Sequence, residues 1–182
     1  MPMLEQRIQQ QFFESADLLS QTAEALSKPI ADAVQALLGC ITAGGKVMLC
    51  GSASDAALAQ YGATLMVGRF ERERPALAAL AIATDTEVQA LGVPGDVLLA
   101  ISAGSPTPAL AAMVLAAQGK DMTVVALTGR DAASLLATLA ETDVHIAVPH
   151  ERAARIHEAH TVVLHCLCDA VDLQLLGEQE PT

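Results

Sequence analysis

Three short segments rich in hydroxyl groups and glycine hold the residues of this chain best suited to chemistry: CGSASDAA, ISAGSPTPAL and LTGRD. In the first, Gly51 turns the chain, and Ser52, Ser54 and Asp55 stand where a helix begins. Free backbone N–H groups and the helix dipole make such a start an anion site, and serine hydroxyls add donors. Asp55 brings a negative charge to the same place, and the segment reads equally as a plain helix cap. In the second, Ser102, Ser105 and Thr107 supply hydroxyls, Gly104 permits close backbone approach, and Pro106 and Pro108 lie near the next helix start. It is the stronger anion candidate, and two such loops at adjacent strand ends reinforce each other. The third adds Thr128, Gly129 and Arg130, although Arg130 reads equally as a solvated surface charge.

Loops of this kind need a scaffold that brings them together. From Lys46 onward the chain alternates short apolar runs (KVMLC, ALAALAIA, DVLLAIS, MTVVALT, DVHIAV) with helical stretches such as Asp55 to Val67 and Thr107 to Gln118, with only a short turn between the second and third runs. Continuous apolar runs are what strands look like when helices cover both faces of a parallel sheet. The fold class is therefore α/β, an open doubly wound sheet whose ligands bind beyond the carboxyl ends of the strands. That rule points to the loops after Cys50, Thr84, Ser102 and Thr128. Ahead of the core, Leu4, Ile8, Phe12, Leu18, Leu19 and Ala23 recur at helical spacing, so a helix is expected to about Leu26. Ser27 is a plausible N-cap and Pro29 fits a first turn, which predicts a second helix from about Lys28 to Thr42. The expected layout is one domain over 1–182, with N-terminal helices in 1–43, an α/β core in 44–150 and a C-terminal helix in 151–176.

Composition narrows the function classes. Hydrophobic residues make up 52% of the chain and charged residues 17%, which excludes a disordered chain. A net charge of -11 repels a phosphate backbone, so direct nucleic-acid binding is not expected. The first residues, MPMLEQRIQQQFFES, show no basic and apolar leader pattern, and no unbroken apolar run reaches membrane-spanning length, so a cytoplasmic protein with no membrane contact is expected. Cys40, Cys50, Cys166 and Cys168 lie in apolar segments without CxxC spacing and read as reduced core residues.

Taken together, CGSASDAALAQYGATLMVGRFERERPALAALAIATD, PGDVLLAIS, MTVVALTGRD and ARIHEAHTVVLHCLCDAVD resemble the sugar isomerase (SIS) family over nearly the whole chain. The likeness is to the branch of phosphoheptose isomerases and DnaA initiator-associating proteins. The EQRIQQQFFES opening, the ERERP run and the CLCDAVD ending tilt it toward the latter. The resemblance implies a three-layer αβα domain with a five-stranded parallel sheet of order 2-1-3-4-5. It also implies a homotetramer whose N- and C-terminal helices pack between subunits. A sugar phosphate would be held by Ser52, Ser54, Ser102, Ser105 and Thr107 and by the turn of Thr84 and Asp85.

Departures from the family pattern are large. A GNGGS-like first loop is here GSASD, an STSGNS loop is SAGSP with one residue fewer, and the bridge from Asp85 to Gly95 replaces a full helix. Tyr61 stands where the family has a metal-liganding His, and Leu65 where it has the catalytic Glu. His157 replaces a Gln, while His165 keeps the second catalytic position. Eight residues separate the two histidines, which brings them within about 80° of each other on a helix, so they can face one pocket. His157, His160 and His165 are not expected to bind metal, because the opposing helix offers only Tyr61 and Leu65, and no cofactor is expected. Leucine cannot carry a proton. The expectation is a non-catalytic sugar-phosphate-binding protein that regulates replication initiation through a DnaA-type initiator. Leu175 and Leu176 would then be either a docking patch for that partner or cover for the protein's own N-terminal helix. The alternatives are an active phosphoheptose isomerase and a sugar-phosphate sensor.

Overall fold

The computed structural model describes residues 2–178. Five strands, β1 (Val47–Gly51), β2 (Ala79–Ile82), β3 (Val97–Ser102), β4 (Thr123–Thr128) and β5 (Val144–Ala147), form one sheet of order β2-β1-β3-β4-β5. Every pairing is parallel, with Val47 opposite both Ala79 and Val97 and Val125 opposite Val144. The helices are α1 (Pro2–Thr42), α2 (Ser54–Val67), α3 (Asp85–Leu91), α4 (Pro108–Gln118), α5 (Ala133–Leu136) and α6 (Ala153–Leu176). The expected class, layering and strand order are borne out.

Strand side chains alternate between faces, and this parity divides the core in two. Val47, Leu49, Leu99, Ile101, Val125 and Leu127 pack against α1, α2 and α6. Met48, Cys50, Leu98, Ala100, Val124 and Ala126 pack against α3, α4 and α5. Helix α6 is long and apolar enough by composition to cross a membrane. It is instead a core helix, with Ile156, Val163, Leu164, Leu167 and Val171 buried.

Two expectations about helices are corrected. The N-terminal segment is one helix of 41 residues, with Pro29 inside it. Ser27 caps nothing, since its hydroxyl donates to the carbonyl of Glu24 within the same helix. Pro29 withholds one N–H, but the carbonyl it leaves free belongs to exposed Ala25, where water can take it, so packing against α6 carries the helix through. The connection from β2 to β3 is a two-turn helix, α3, where a bare turn was expected. Thr84 and Glu87 close a capping box at its start, and that reciprocal pair satisfies donors that a seven-residue helix would otherwise leave open.

Arg155 and Arg152 tie the first half of α1 to the start of α6. Arg155 is buried, donates to the carbonyl of Gln11 at 2.6 Å and pairs with Glu158 at 2.7 Å, while Arg152 pairs with Glu14.

Candidate functional site

The loops after β1 and β3 meet at the carboxyl edge of the sheet. Ser52 and Thr107 share a hydrogen bond between hydroxyls at 2.8 Å, although 55 residues separate them. Thr107 also caps α4 by accepting the N–H of Leu110 at 3.2 Å. Gly51 cannot be replaced here, because a Cβ would lie 2.7–2.8 Å from the backbone and Cβ of Asp55 as α2 turns over it. Ala53, just before α2, has φ 51, a left-handed value that costs a residue with a side chain about 1–3 kcal/mol and that glycine adopts freely.

Asp55 lies at the centre of this edge. It is buried, accepts the N–H of Ala103 at 3.1 Å and contacts His157 Nε2 at 2.7 Å. Ser54 reaches the same imidazole nitrogen at 3.4 Å. A carboxylate thus takes an N–H of the β3 loop that an anion could have used. Sequence reasoning registered Asp55 only as a charge unfavourable to phosphate. Its partners lie 48 and 102 residues away, and no local signal announces them.

The remaining residues divide between this edge and its surroundings. Ser102 donates to the carbonyl of Gly104 at 3.0 Å, and Ser105 donates to Asp131. Ala103, Gly104, Ser105, Arg130, Asp131, His150, Glu151 and Ile156 enclose a cavity of about 570 Å³. Arg130 is not a free surface charge, since it donates to Glu151 and to the carbonyl of Pro149, both at 3.0 Å. Thr84 uses its hydroxyl in the cap of α3, and Asp85 is the first residue of that helix.

Two turns along α6 from His157, the groove between α2 and α6 holds a second polar pair. Tyr61 Oη and His165 Nε2 lie 2.8 Å apart, with the rings edge to face. Phe70 backs the imidazole at 5.2 Å between ring centres. His157 and His165 therefore both face α2, as their spacing predicts. Leu65 packs against the core. His160 turns inward, fully buried, with Nε2 3.2 Å from the carbonyl of Thr128; burial pushes its pKa down to about 4, so it is neutral at physiological pH.

A metal of the kind the family resemblance implies does not fit this groove. Leu65 has no donor atom, and Tyr61 and His165 are bonded to each other. Among the described residues no three His, Cys, Asp or Glu side chains come together to hold a metal ion.

The SIS domain family model matches residues 11–129. The chain is 60% identical, over 200 aligned positions covering all of both chains, to a phosphoheptose isomerase of Methylibium petroleiphilum. It is 44% identical to one of Aromatoleum aromaticum, covering 96% of this chain and 97% of the relative. Among solved structures, a phosphoheptose isomerase from Francisella tularensis superposes with a TM-score of 0.88 at 32% identity, covering 94% of this chain and 99% of that one. One from Neisseria gonorrhoeae gives 0.86 at 35% identity, covering 93% and 98%. The 200 aligned positions exceed the 182 residues here by 18, so the Methylibium relative carries residues this chain lacks.

These relatives are isomerases, and that overturns the reading of a non-catalytic regulator of replication initiation bound to a DnaA-type initiator. The docking reading of Leu175 and Leu176 thereby loses the partner it was drawn for; both side chains are exposed at the end of α6. The inactive reading rested on Leu65, Tyr61 and the shortened connection after Asp85, whereas the structure pairs His165, the one imidazole kept from the family pattern, with Tyr61, and pairs His157, which is new, with Asp55. The chain belongs to the SIS domain family, in the branch of the phosphoheptose isomerases.

Proposed function

We propose that this chain is an isomerase that interconverts the ketose and aldose forms of a phosphorylated sugar of the phosphoheptose class. The observation that supports this most is the 60% identity to a phosphoheptose isomerase along the full length of both chains. The whole of residues 1–182 works as one domain in the cytoplasm. The phosphate lies on the β1 and β3 loops, against the hydroxyls of Ser52, Ser54, Ser102, Ser105 and Thr107, with Thr84 and Asp85 at the rim. The sugar then runs along the groove between α2 and α6, past His157 toward His165. Moving a proton between adjacent carbons needs one group that takes it and returns it, a role that imidazole serves near neutral pH.

The assembly in this reading is a homotetramer. Supporting it are the exposed apolar side chains of Leu4, Ile8, Phe12 and Phe13 on α1, and an apolar cleft of about 490 Å³ between α1 and α6. Light scattering at micromolar concentration should give four times the chain mass, and a monomeric mass overturns the assembly. The activity is tested by incubating purified protein with sedoheptulose 7-phosphate and following the aldose by NMR. Binding without turnover would point to a sugar-phosphate sensor, and neither binding nor turnover would remove the reading altogether.

A further inference from the structure

The reaction needs an atom that faces the substrate and takes a proton from carbon. At the turn of α2 where the family resemblance implies a carboxylate, this chain has Leu65, packed on the core. One turn earlier on the same helix, Tyr61 is 39% exposed, so a ligand lying over α2 and α6 can reach it. Its oxygen lies 2.8 Å from His165 Nε2, and His165 is itself held by Phe70. A phenol alone is a weak base at neutral pH. An imidazole at hydrogen-bond distance removes that limit by accepting the phenol's own proton as the oxygen takes another, the arrangement by which histidine activates hydroxyl nucleophiles.

Length supports the same placement. Tyr61 stands six residues beyond Asp55 on α2, about 9 Å along the axis at 1.5 Å per residue. An extended seven-carbon sugar phosphate spans a comparable distance between its phosphate and its carbonyl end. With the phosphate at the β1 and β3 loops, C1 and C2 therefore fall beside Tyr61. The pair of Asp55 and His157 sits at the phosphate end, out of reach of those carbons.

We infer that Tyr61 is the proton-transferring catalytic residue of this chain, with His165 as the acceptor behind it; this rests on the isomerase reading above. In the forward step the C1–H bond breaks and its proton goes to Tyr61 Oη. The phenol's own proton passes to His165 Nε2, and the electron pair moves through C1–C2 to the carbonyl oxygen. An enediolate and an imidazolium result, so charge balances. The proton on O1 shifts to O2, His165 returns its proton to Tyr61, and Tyr61 delivers one to C2. The aldose forms with both side chains restored, and no oxidant, reductant or metal enters.

The test uses full-length protein with sedoheptulose 7-phosphate in D2O, reading aldose formation and deuterium wash-in at C1 by NMR. Wild-type protein should show both. Tyr61→Phe keeps the ring and its packing and loses only the oxygen. It is expected to lower kcat and wash-in together by about 100-fold or more, with KM within about threefold of wild type. His165→Gln should lower the same two quantities. A Tyr61→Phe protein that melts with wild type and keeps wash-in within about threefold overturns the inference while leaving the isomerase reading standing. Loss appearing as raised KM with kcat retained also overturns it, because Tyr61 would then only bind. A wild-type protein with neither wash-in nor turnover removes both, and that failure is visible before any variant is made.

Discussion

Replacing Arg74 with Ala should destabilise the fold severely, and the size of the effect follows from where its guanidinium sits. The side chains of Arg74 and Asp172 are each 1% exposed, with Arg74 Nε 2.6 Å from Asp172 Oδ1. The same guanidinium donates to the carbonyls of Leu65 and Met66, at 2.9 and 2.8 Å, in the last turn of α2. It thus caps α2 and joins the loop before β2 to α6. Removing one member of a buried pair leaves the other charged and alone, which costs about 3–5 kcal/mol. Against a total stability of about 5–15 kcal/mol this is a large fraction, and the melting temperature should drop by about 10 °C or more. The pH dependence provides a second check. Burial raises the Asp172 pKa and Arg74 opposes it, so without Arg74 the carboxyl moves further upward. A carboxyl whose folded pKa exceeds its unfolded value destabilises at neutral pH and stops doing so as pH falls through the folded value. Urea unfolding should therefore show a smaller deficit at pH 5 than at pH 7. The double variant Arg74→Met, Asp172→Leu should recover about 2 kcal/mol or more, since no lone charge remains. A deficit under about 1 kcal/mol at pH 7, or one that grows on acidification, would refute this reasoning.

Three further outcomes are expected. Ala53→Gly should stabilise by about 1 kcal/mol in urea unfolding, because glycine adopts the φ of 51 without strain; no gain would mean that the turn relaxes in solution. Asp96 is buried and accepts from Lys46 N, Lys46 Nζ and Val93 N at 2.9, 2.5 and 3.0 Å. Burial pushes its pKa upward, but these donors outweigh it and hold it below the usual range. Asp96→Asn should then cost about 2–3 kcal/mol at pH 7, and the gap to wild type should close as pH falls below about 4, where the wild-type carboxylate takes up its proton. Asp55→Ser removes a carboxylate from the edge where Ser52 and Thr107 meet, so calorimetry should show about tenfold tighter binding of a sugar phosphate; unchanged or weaker binding would place the phosphate elsewhere.

Much of the fold was legible because burial imposes period and length on the chain. Within DVLLAIS the stretch from Val97 to Ile101 is apolar at every position and buried throughout, as a strand covered on both faces requires. Strand parity already puts Leu99 and Leu98 on opposite faces, while which helices each face meets is decided by the fold. The hydroxyl loops were legible for a similar local reason, since Gly51 and the residues after it announce a helix start. Where local preference met tertiary packing, packing prevailed. Ser27 and Pro29 have the chemistry of a helix start, yet α1 runs through them. The site shows the same limit more sharply. Tyr61 and His165 are 104 residues apart, Asp55 and His157 are 102, and Arg74 and Asp172 are 98. A residue's acid–base role depends on what lies within about 3 Å of it and on how much water reaches it, and neither is written in the residue or its neighbours along the chain. Reading Leu65 and Tyr61 as replacements, one position at a time, therefore suggested an inert site, whereas the packing of α2 against α6 places the Tyr61 phenol on the His165 imidazole.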